Sequence, residues 1–237
     1  MYHNIAKPPK GKRLTSLYTS PKLFSFQMRL LSLLGYRGLS IKDLKPYLNN
    51  KKTGKVFGIT FDDGYKDNLI NALPVLKKVN FTATCYIVSA HLGESNVWTQ
   101  NQNVEKSPLM TSNEVQTWID SGMSIGSHSH THAHLCKIAK EDMIKEILES
   151  KKILEETFHL FIEDFCFPYG EYNQTCLDEL KKAGYLTATT TERGRFSSEN
   201  SLLKIPRIHM TKRTYLASLL LKLFTSYEDR RYKEFHL

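Results

Sequence analysis

The 237-residue sequence has no long apolar run. No stretch of about 18 apolar residues is present, so we do not expect a membrane-spanning helix. The first residues, Met-Tyr-His-Asn-Ile-Ala-Lys, also lack the basic and then apolar order of a secretory signal. We therefore expect a cytoplasmic protein, or a chain from which a targeting segment is missing.

Cysteine is scarce as well. The four cysteines form no Cys-x-x-Cys pair, and Cys85 and Cys166 stand inside apolar runs, where a buried thiol packs as a small apolar side chain. Without a secretion signal, disulfides are not favoured. The composition, with 41% apolar and 24% charged residues, is instead that of an ordinary globular protein long enough to bury one sizeable core.

Acidic residues are rare in the N-terminal part of the chain. Residues 1–55 contain twelve Lys or Arg and a single acid, Asp43, whereas residues 56–206 carry a net charge of −6 and residues 207–237 one of +4. Basic segments favour anionic partners such as phosphates, lipid head groups of a membrane surface or acidic glycans. A solvated surface that aids solubility explains the charge equally well. Aromatic residues are not interleaved with the basic ones, so nucleic acid is not an expected partner.

Short apolar runs alternate with segments of helical periodicity, and no internal repeat or linker divides residues 1–237. This alternation predicts parallel strands joined by crossover helices in a single domain. Seven or eight such units favour a closed β/α barrel, in which chemistry lies at the C-terminal ends of the strands. The predicted strands are Tyr2–Ile5, Tyr36–Leu39, Val56–Phe61, Thr82–Val88, Met123–Ser127, Asp164–Phe167, Leu186–Thr190 and Ile205–His209. The predicted helices are Pro21 to Gly35, Ile41–Leu48, Asp67–Val79 with an interruption near Pro74, Thr111–Ser121, Glu141–Phe158 and Gln174–Ala183.

Two adjacent carboxylates, Asp62 and Asp63, follow the predicted strand Val56–Phe61. Adjacent carboxylates repel, so keeping both ionised requires a cation or a strong hydrogen-bond donor. One could bind a metal while its neighbour acts as a base, and Gly64 permits the tight turn that follows. Taken alone, the motif is equally compatible with a plain Asp-Asp-Gly turn.

Four histidines alternate in residues 126–134, Gly-Ser-His-Ser-His-Thr-His-Ala-His. On a helical turn, His128 and His132 would share one face and could bind one metal, whereas His130 and His134 would share another. Two imidazoles and one carboxylate leave a coordination position open for water, as in catalytic zinc sites. Zinc is the default metal for this ligand set, and cobalt, nickel or iron also suit it. The alternative is a His-rich surface tract.

A third motif, Phe165-Cys166-Phe167-Pro168-Tyr169-Gly170, runs from an apolar strand into a turn whose backbone N–H groups could serve an oxyanion hole. Together, the three motifs resemble the polysaccharide deacetylase family, also called the NodB-homology family or family-four carbohydrate esterases. The family's Thr-Phe-Asp-Asp-Gly motif matches Thr60–Gly64 in full. Its His-Ser/Thr motif that ends on a second histidine matches His128–His132, and its Pro-Tyr-Gly motif matches Pro168–Gly170.

The resemblance implies a metal-dependent hydrolase that removes the N-acetyl group from an N-acetylated amino sugar of a cell-surface glycan or its precursor and releases acetate. It also implies an α/β fold, a distorted (β/α)7 barrel, which agrees with the strand count. Carried over residue by residue, it makes Asp62 the general base and the Tyr169 main chain an oxyanion donor. The implied metal ligands are Asp63, His128 and His132.

The chain departs from the family pattern at several positions. Cys166 stands where the family usually has an arginine that pairs with the base, and either Arg207 replaces it or Arg207 merely caps the core. The family's fourth motif, an Asp-and-Trp cluster, is not evident near Thr189–Phe196. The catalytic acid is normally a late histidine, for which His209 and His3 are the candidates. The opening residues, the third motif and the missing arginine look closer to the branch that deacetylates poly-N-acetylglucosamine.

The stretch Leu216–Phe224, Leu-Ala-Ser-Leu-Leu-Leu-Lys-Leu-Phe, allows a second interpretation. With the basic N-terminal part, it could suit an enzyme that associates with an anionic membrane surface and deacylates a lipid- or nucleotide-linked sugar. A terminal helix packed on the barrel is the simpler explanation. A third interpretation is a non-catalytic glycan-binding protein on the same scaffold, against which the intact motif residues argue. The identity of the sugar and the oligomeric state are left open at this stage.

Overall fold

A curled sheet of six parallel strands dominates the computed structural model, which describes residues 1–100, 102–197 and 200–229. The strands are β1 (Arg37–Leu39), β2 (Val56–Gly58), β3 (Thr60–Phe61), β4 (Thr84–Ile87), β5 (Ser124–Ser127), β6 (Asp164–Cys166), β7 (Thr187–Arg193) and β8 (Ile205–Arg207). The helices are α1 (Pro21–Leu33), α2 (Ile41–Leu48), α3 (Leu73–Lys78), α4 (Ser112–Asp120), α5 (Lys140–Phe158), α6 (Gln174–Lys182) and α7 (Leu216–Phe224). Strands β3 to β8 pair in chain order, and β1 pairs with β2 in a separate two-stranded sheet.

Consecutive parallel strands with helices between them confirm the predicted α/β fold with crossover connections. The main sheet has the form of a half-barrel, consistent with the distorted barrel that the resemblance implied. Its strands are buried along nearly their whole length, as expected of parallel sheets covered on both faces. Their carboxyl ends therefore meet at one rim, where the three sequence motifs emerge.

The first two residues connect the two edges of this sheet. Tyr2 N–H donates to Thr60 O (2.9 Å) and Tyr2 O accepts from Asp62 N–H (3.0 Å), next to β3. On the other side, Met1 N donates to Ile208 O (2.9 Å), and Met1 O accepts from Met210 N–H (3.0 Å), just after β8. The prediction of a regular strand over Tyr2–Ile5 is nevertheless wrong, because only single bridges form there, from Tyr2 to Phe61 and from Asn4 to Tyr18.

The single strand predicted over Val56–Phe61 is two strands. Ile59 N–H donates to Leu39 O (2.9 Å), whereas Ile59 O accepts from Thr84 N–H (2.9 Å). The chain thus changes partner at Ile59, from β1 to β4. Gly58, just before it, packs against the ends of the Leu44 and Ile41 side chains, so there is little room for a Cβ there.

The predicted helices are present with small shifts at their ends. Thr111 and Glu114 form the expected capping box at the start of α4. The helix predicted over Asp67–Val79 begins with a π-helical turn, Asn68–Ala72, and continues as α3, whose second residue is Pro74. Proline lacks an N–H group, so the change of hydrogen-bond pattern lies where one donor is missing. Within the described residues, no helix is long and apolar enough to cross a membrane.

Candidate active site

The three motifs lie at the carboxyl ends of neighbouring strands. Asp62 and Asp63 follow β3, and His128 follows β5. Pro168 follows β6, with one residue between them. Asp63 and Gly64 both have positive φ values, 76° and 77°, which fold the chain back directly after the strand. Residues distant in sequence are thereby brought together at one rim of the barrel.

A carboxylate oxygen and two imidazole nitrogens converge at the centre of this rim. Asp63 Oδ1 lies 3.2 Å from His128 Nε2 and 3.4 Å from His132 Nε2, and all three side chains are buried. One ligand atom from each residue falls within 4.8 Å of the others. Burial raises the pKa of Asp63, but its contacts with the two histidines outweigh this effect and leave the pKa well below its ordinary value.

The donor chemistry of this trio fits a divalent cation. His128 Nδ1 lies 2.8 Å from the Cys166 carbonyl oxygen, and a carbonyl can only accept, so the Nδ1 atom carries the proton. The Nε2 lone pair of neutral His128 then faces a carboxylate oxygen, which is also only an acceptor. Two acceptors 3.2 Å apart in a buried site require a proton or a metal ion between them. His132 Nδ1 is buried and has no hydrogen-bond partner among the described residues.

Arg207 holds the other carboxylate of the pair. Its guanidinium donates to Asp62 Oδ1 (2.6 Å) and to Asp62 Oδ2 (2.8 Å), a bidentate ion pair that is fully buried. It also donates to Cys166 Sγ (3.2 Å) and, through Nε, to Thr190 O (2.8 Å). Arg207 thus occupies the place beside Asp62 that an arginine at position 166 was expected to fill. Although burial opposes it, the charges of Arg207 and His3 lower the pKa of Asp62 to about 2.

A second group of ligand atoms, from Asp62, His128 and Cys166, also lies within 4.8 Å. Both Asp62 oxygens already accept from Arg207, and the Cys166 sulfur accepts from the same guanidinium. A metal ion there would stand against a buried positive charge, which is unfavourable. The trio centred on Asp63 is therefore the better candidate metal centre.

The prediction that His128 and His132 share a helical face is wrong. The chain from residue 128 to residue 134 is a loop, in which Ser129 (φ 61°) and His132 (φ 65°) adopt left-handed conformations. The loop is held by a buried carboxylate from α5: Glu146 accepts from the His130 and Thr131 N–H groups (2.9 and 2.8 Å) and from the Thr131 hydroxyl (2.5 Å). These hydrogen bonds shape the loop so that His128 and His132 come together without a helical turn.

The other two histidines of the motif do not join the centre. His130 Nδ1 lies 2.9 Å from Ser89 Oγ, and His130 Nε2 lies 3.7 Å from Glu149. His134 is paired with Glu171 (2.9 Å) and stacks on the Tyr169 ring at a centroid distance of 3.7 Å. Their predicted common face therefore does not exist, because the loop directs them to different neighbours.

The Pro-Tyr-Gly turn lies beside the histidines. Tyr169 has a φ of 58°, and its ring meets the His132 ring edge-on at a centroid distance of 4.7 Å. The Tyr169 N–H donates to no acceptor in the part of the chain that the structure describes. Gly170 is required because a Cβ there would lie 1.9 Å from Thr191 Oγ1. The turn therefore offers a free donor at the edge of the site.

The two candidate acid histidines lie in different places. His3 Nε2 is 3.9 Å from Asp62 Oδ2. His209 Nε2 instead lies 2.8 Å from the Thr191 carbonyl oxygen, and its recorded contacts reach neither aspartate. Burial and the nearby positive charges of Arg207, the chain terminus and Arg193 lower the pKa of His209 to about 3, so it is neutral around pH 7.

Sequence reasoning missed three supports of the site. Trp98 stacks on His132 at a centroid distance of 4.5 Å, although nothing in its local sequence marks it. Asp67 accepts from Ile5 N–H (2.7 Å) and from Asn4 Nδ2 (3.0 Å), which fixes the segment that carries His3. Glu146 was placed only on a helix. Local sequence patterns such as helix caps could not have identified these residues, because each residue contacts a part of the chain that is distant in sequence.

With this geometry, the chain can be compared with known proteins. The sequence profile described as Polysaccharide deacetylase matches residues 49–188, more than half of the chain. The chain belongs to the polysaccharide deacetylase family. It is 30% identical over 213 residues to YxkH of Bacillus subtilis, which covers 89% of this chain and 70% of the relative. It is 26% identical to the poly-beta-1,6-N-acetyl-D-glucosamine N-deacetylase of Staphylococcus aureus, over 84% of this chain and 69% of that one.

Solved structures of deacetylases have the same fold. The Streptococcus pyogenes deacetylase PplD, determined in complex with acetate, superposes with a TM-score of 0.82 at 26% identity, over 95% of this chain and 96% of that one. The polysaccharide deacetylase BC0361 of Bacillus cereus gives a TM-score of 0.78 at 29% identity, over 94% of this chain and 67% of that one. These matches agree with the family membership and with the half-barrel described above.

Proposed function

We propose that residues 1–237 form one catalytic domain, which hydrolyses the N-acetyl group of an amino sugar in a metal-dependent reaction. The observation that carries this proposal is the approach of Asp63 Oδ1 to two imidazole nitrogens, directly beside a carboxylate held by Arg207. Ligands on one side of the rim and an ionised base on the other are what hydrolysis of an amide requires.

Asp63, His128 and His132 would hold the metal ion. Bound there, a divalent ion would supply Lewis-acid polarisation and would make an adjacent water more acidic. Zinc suits two imidazoles and one carboxylate, and cobalt, nickel and iron are the alternatives. The Cys166 carbonyl fixes the tautomer of His128, so that its Nε2 lone pair is the one available for binding.

The proposed reaction uses three groups of the protein. Asp62 removes a proton from a water molecule, whose oxygen attacks the acetamide carbon. The Tyr169 N–H donates to the oxyanion that develops. His3, rather than His209, protonates the leaving nitrogen, since His3 lies 3.9 Å from Asp62 whereas His209 is bonded to the Thr191 carbonyl. The C–N bond breaks, and the products are acetate and a free amino sugar.

The substrate we favour is an N-acetylated glucosamine polymer of the cell surface, or its precursor. Support comes from the name of the Staphylococcus aureus relative, which specifies poly-beta-1,6-N-acetyl-D-glucosamine. The acetate bound in the Streptococcus pyogenes deacetylase is also the expected product of this chemistry. A third line of support is the arginine that pairs with the base, which comes from position 207 and not from position 166.

Two other candidate functions make different predictions. Deacylation of a lipid- or nucleotide-linked sugar keeps the chemistry and changes only the substrate. A non-catalytic glycan-binding protein would keep the fold but release no acetate. The preserved trio Asp63, His128 and His132 gives a binding protein no evident advantage, which is why we favour an enzyme.

An acetate-release screen tests the proposal. The purified protein is loaded separately with zinc, cobalt, nickel and iron, and is offered β-1,6-linked N-acetylglucosamine oligomers, chitooligosaccharides, a sugar nucleotide and a lipid-linked sugar. We expect release from the β-1,6-linked oligomers. If only a lipid- or nucleotide-linked sugar releases acetate, that sugar is the substrate. If no compound releases acetate but the protein still binds glycans, the protein is a glycan-binding protein and not an enzyme.

The Asp62→Asn variant tests the role of the base. We expect it to retain metal binding and to lose activity by roughly 10²–10⁴-fold, the usual contribution of general-base catalysis. Metal content is measured by mass spectrometry and turnover by acetate release. Normal turnover in this variant would rule out Asp62 as the base.

A further inference from the structure

Helix α7 is apolar on its exposed side as well as on its buried side, where Leu219 joins the core. Leu216, Leu220, Leu221 and Phe224 are exposed to 47, 36, 44 and 40%. The one charged residue of the helix, Lys222, is buried. A helix on the surface of a globular protein normally presents charges to water and leucines to the core. The exposed side of α7 therefore lacks the composition of a surface that stays in water.

The inward direction of Lys222 has a clear structural cause. Its ammonium donates to Glu228 Oε1 (2.8 Å) and to the His209 carbonyl (2.8 Å), and Arg193 donates to the same carboxylate (2.6 and 2.9 Å). The positive charge of the helix is thus paired inside the fold. This network fixes the rotation of α7 about its axis, so the leucines are held on the outside.

Helix α1 also exposes apolar side chains. A single stripe along it consists of Lys22, Phe26, Arg29 and Leu33, and all four are exposed, Leu33 to 85%. They are spaced four, three and four residues apart, so they share one side of the helix. Cationic and apolar groups alternate along this stripe.

The two helices are neighbours. Gln27 Nε2 on α1 donates to Thr214 O just before α7 (2.7 Å), and the Phe224 ring lies 5.4 Å from the Tyr36 ring, shortly after α1. We define the α1–α7 face as the exposed residues of both helices and of Leu34, which follows α1. Its members are Lys22, Phe26, Arg29, Leu33, Leu34, Leu216, Leu220, Leu221 and Phe224.

The two chain segments that carry this face have charges of one sign. Residues 1–42 and residues 205–227 contain no Asp or Glu, whereas both segments contain several Lys and Arg. Apolar side chains that enter the acyl region, with cations level with the head groups, are the features of helices that lie in a membrane interface. Anionic lipids attract such cations electrostatically.

We propose that the α1–α7 face docks this domain onto the surface of an anionic lipid bilayer. The exposed leucines and phenylalanines insert among the acyl chains, and Lys22 and Arg29 contact the phosphate groups. A water-soluble partner protein would need an acidic surface interrupted by apolar pockets, whereas an anionic bilayer offers both components everywhere. This proposal does not depend on the catalytic assignment.

Co-sedimentation with vesicles tests the docking. The full chain is mixed with phosphatidylcholine vesicles that either contain or lack phosphatidylglycerol. We expect binding to the anionic vesicles and at least about tenfold weaker binding to the neutral ones. Raised salt should weaken binding to the anionic vesicles, because ions screen the cations on the face.

Two variants identify the face. Leu216→Glu combined with Leu220→Glu, and Lys22→Glu combined with Arg29→Glu, should each reduce partition onto anionic vesicles at least about tenfold. The control is Phe161→Glu, which changes an apolar residue that is 89% exposed in the loop between α5 and β6 and should leave binding unchanged. Circular dichroism and thermal unfolding establish that each variant is folded.

Equal binding of all variants, or equal binding to neutral and anionic vesicles, would overturn the proposal. So would a protein that ignores vesicles but forms a dimer that Leu216→Glu with Leu220→Glu disrupts in sedimentation velocity, because the face would then join two copies of the chain. Failure of acetate release would leave these binding results unaffected, so the two proposals fail separately.

Discussion

Asp62 and Arg207 form the ion pair on which the proposed chemistry depends. They are 145 residues apart, are both buried, and are joined by two hydrogen bonds of 2.6 and 2.8 Å. The sequence indicated that Arg207 could replace an arginine at position 166, but could equally cap the core. The geometry distinguishes the two options, because the guanidinium lies against Asp62 and also against Cys166 Sγ. A small residue at position 166 leaves room for it.

This arrangement predicts that an arginine placed at position 166 can partly replace Arg207. Arg207→Met should reduce kcat/KM by about 10²-fold or more and destabilise the fold by about 3–5 kcal/mol, since it leaves a buried carboxylate unpaired. Adding Cys166→Arg should recover part of both losses, because the new guanidinium starts beside the place of the old one. Acetate release and urea unfolding measure the two effects. A double variant no better than Arg207→Met alone would contradict this account.

The lowered pKa of His209 predicts that the stability of the fold depends on pH. Its folded-state pKa, about 3, lies below the ordinary value of 6.5, so the unfolded chain binds a proton at a higher pH than the folded one does. The stability from neutral His209 is complete above pH 6.5 and is lost progressively as pH falls towards 3. His209→Gln should therefore flatten the loss between pH 6.5 and 4, by on the order of 1–3 kcal/mol.

Urea unfolding of both proteins from pH 7.5 to pH 4 measures this difference. The offset between their stabilities should be constant above pH 7 and should change only below about pH 6.5. Parallel curves over the whole range would show that His209 is not held neutral by its surroundings. The same variant should retain most of its acetate release, because we propose His3 as the acid.

At the scale of elements, the loop between β5 and α5 is where sequence reasoning and structure differ most. Four alternating histidines predicted a helical turn, and the chain instead uses two left-handed residues, Ser129 and His132. The hydrogen bonds that Glu146 accepts outweigh the preference of non-glycine residues for negative φ. No pattern within residues 126–134 marks this, since the decisive carboxylate lies 15 or 16 residues further along the chain.

Glu146→Gln tests the role of this loop in metal binding. The amide oxygen can still accept from the two backbone N–H groups, but without the charge of the carboxylate, and the amide NH₂ group would have to donate to the Thr131 hydroxyl, which now donates to Glu146. We expect zinc affinity to fall about 10–100-fold, the usual cost of disturbing the groups that orient metal ligands. The matched control is Glu149→Gln, which changes a half-exposed residue one turn away, 3.7 Å from His130.

Competition with a chromogenic chelator measures both affinities. The control should bind zinc as the unchanged protein does, and both variants should give the same circular dichroism spectrum as the parent. If Glu146→Gln binds zinc normally, the loop is held by other contacts, and Glu146 has only a structural role in α5.

The element types were largely predictable, because apolar runs and helix caps are local signals. The capping box of α4 and the parallel order of the strands agree with the patterns that predicted them. The break at Ile59 was not predicted, because only Gly58 interrupts the β-branched and aromatic residues of Val56–Phe61, and a lone glycine does not show that a strand divides. Its division depends on which strand each half pairs with, and that pairing is a property of the assembled sheet.

At the scale of the whole molecule, the sequence favoured a barrel but did not show which residues join the edges of its sheet. The hydrogen bonds between Tyr2 and Thr60 and Asp62 link residues far apart in sequence, and those between Met1 and residues 208 and 210 span more than 200 residues. Neither pair has a signature in composition or periodicity. The same closure brings His3 to the rim beside Asp62. The sequence supplied the quartet Asp62, Asp63, His128 and His132 and offered Arg207 as a partner of the base, whereas the supports Trp98, Asp67 and Glu146 came only from the fold.

Metal removal and return tests the central claim most directly. The chain is stripped with a chelator, its residual metal is measured by mass spectrometry, and acetate release from a β-1,6-linked N-acetylglucosamine oligomer is followed as zinc, cobalt, nickel or iron is added back. We predict a loss of at least about 100-fold on removal and recovery with at least one metal. Asp63→Asn should show no recovery at the same metal concentration, because it loses a charged ligand. Full activity in protein shown to be free of metal would contradict the account.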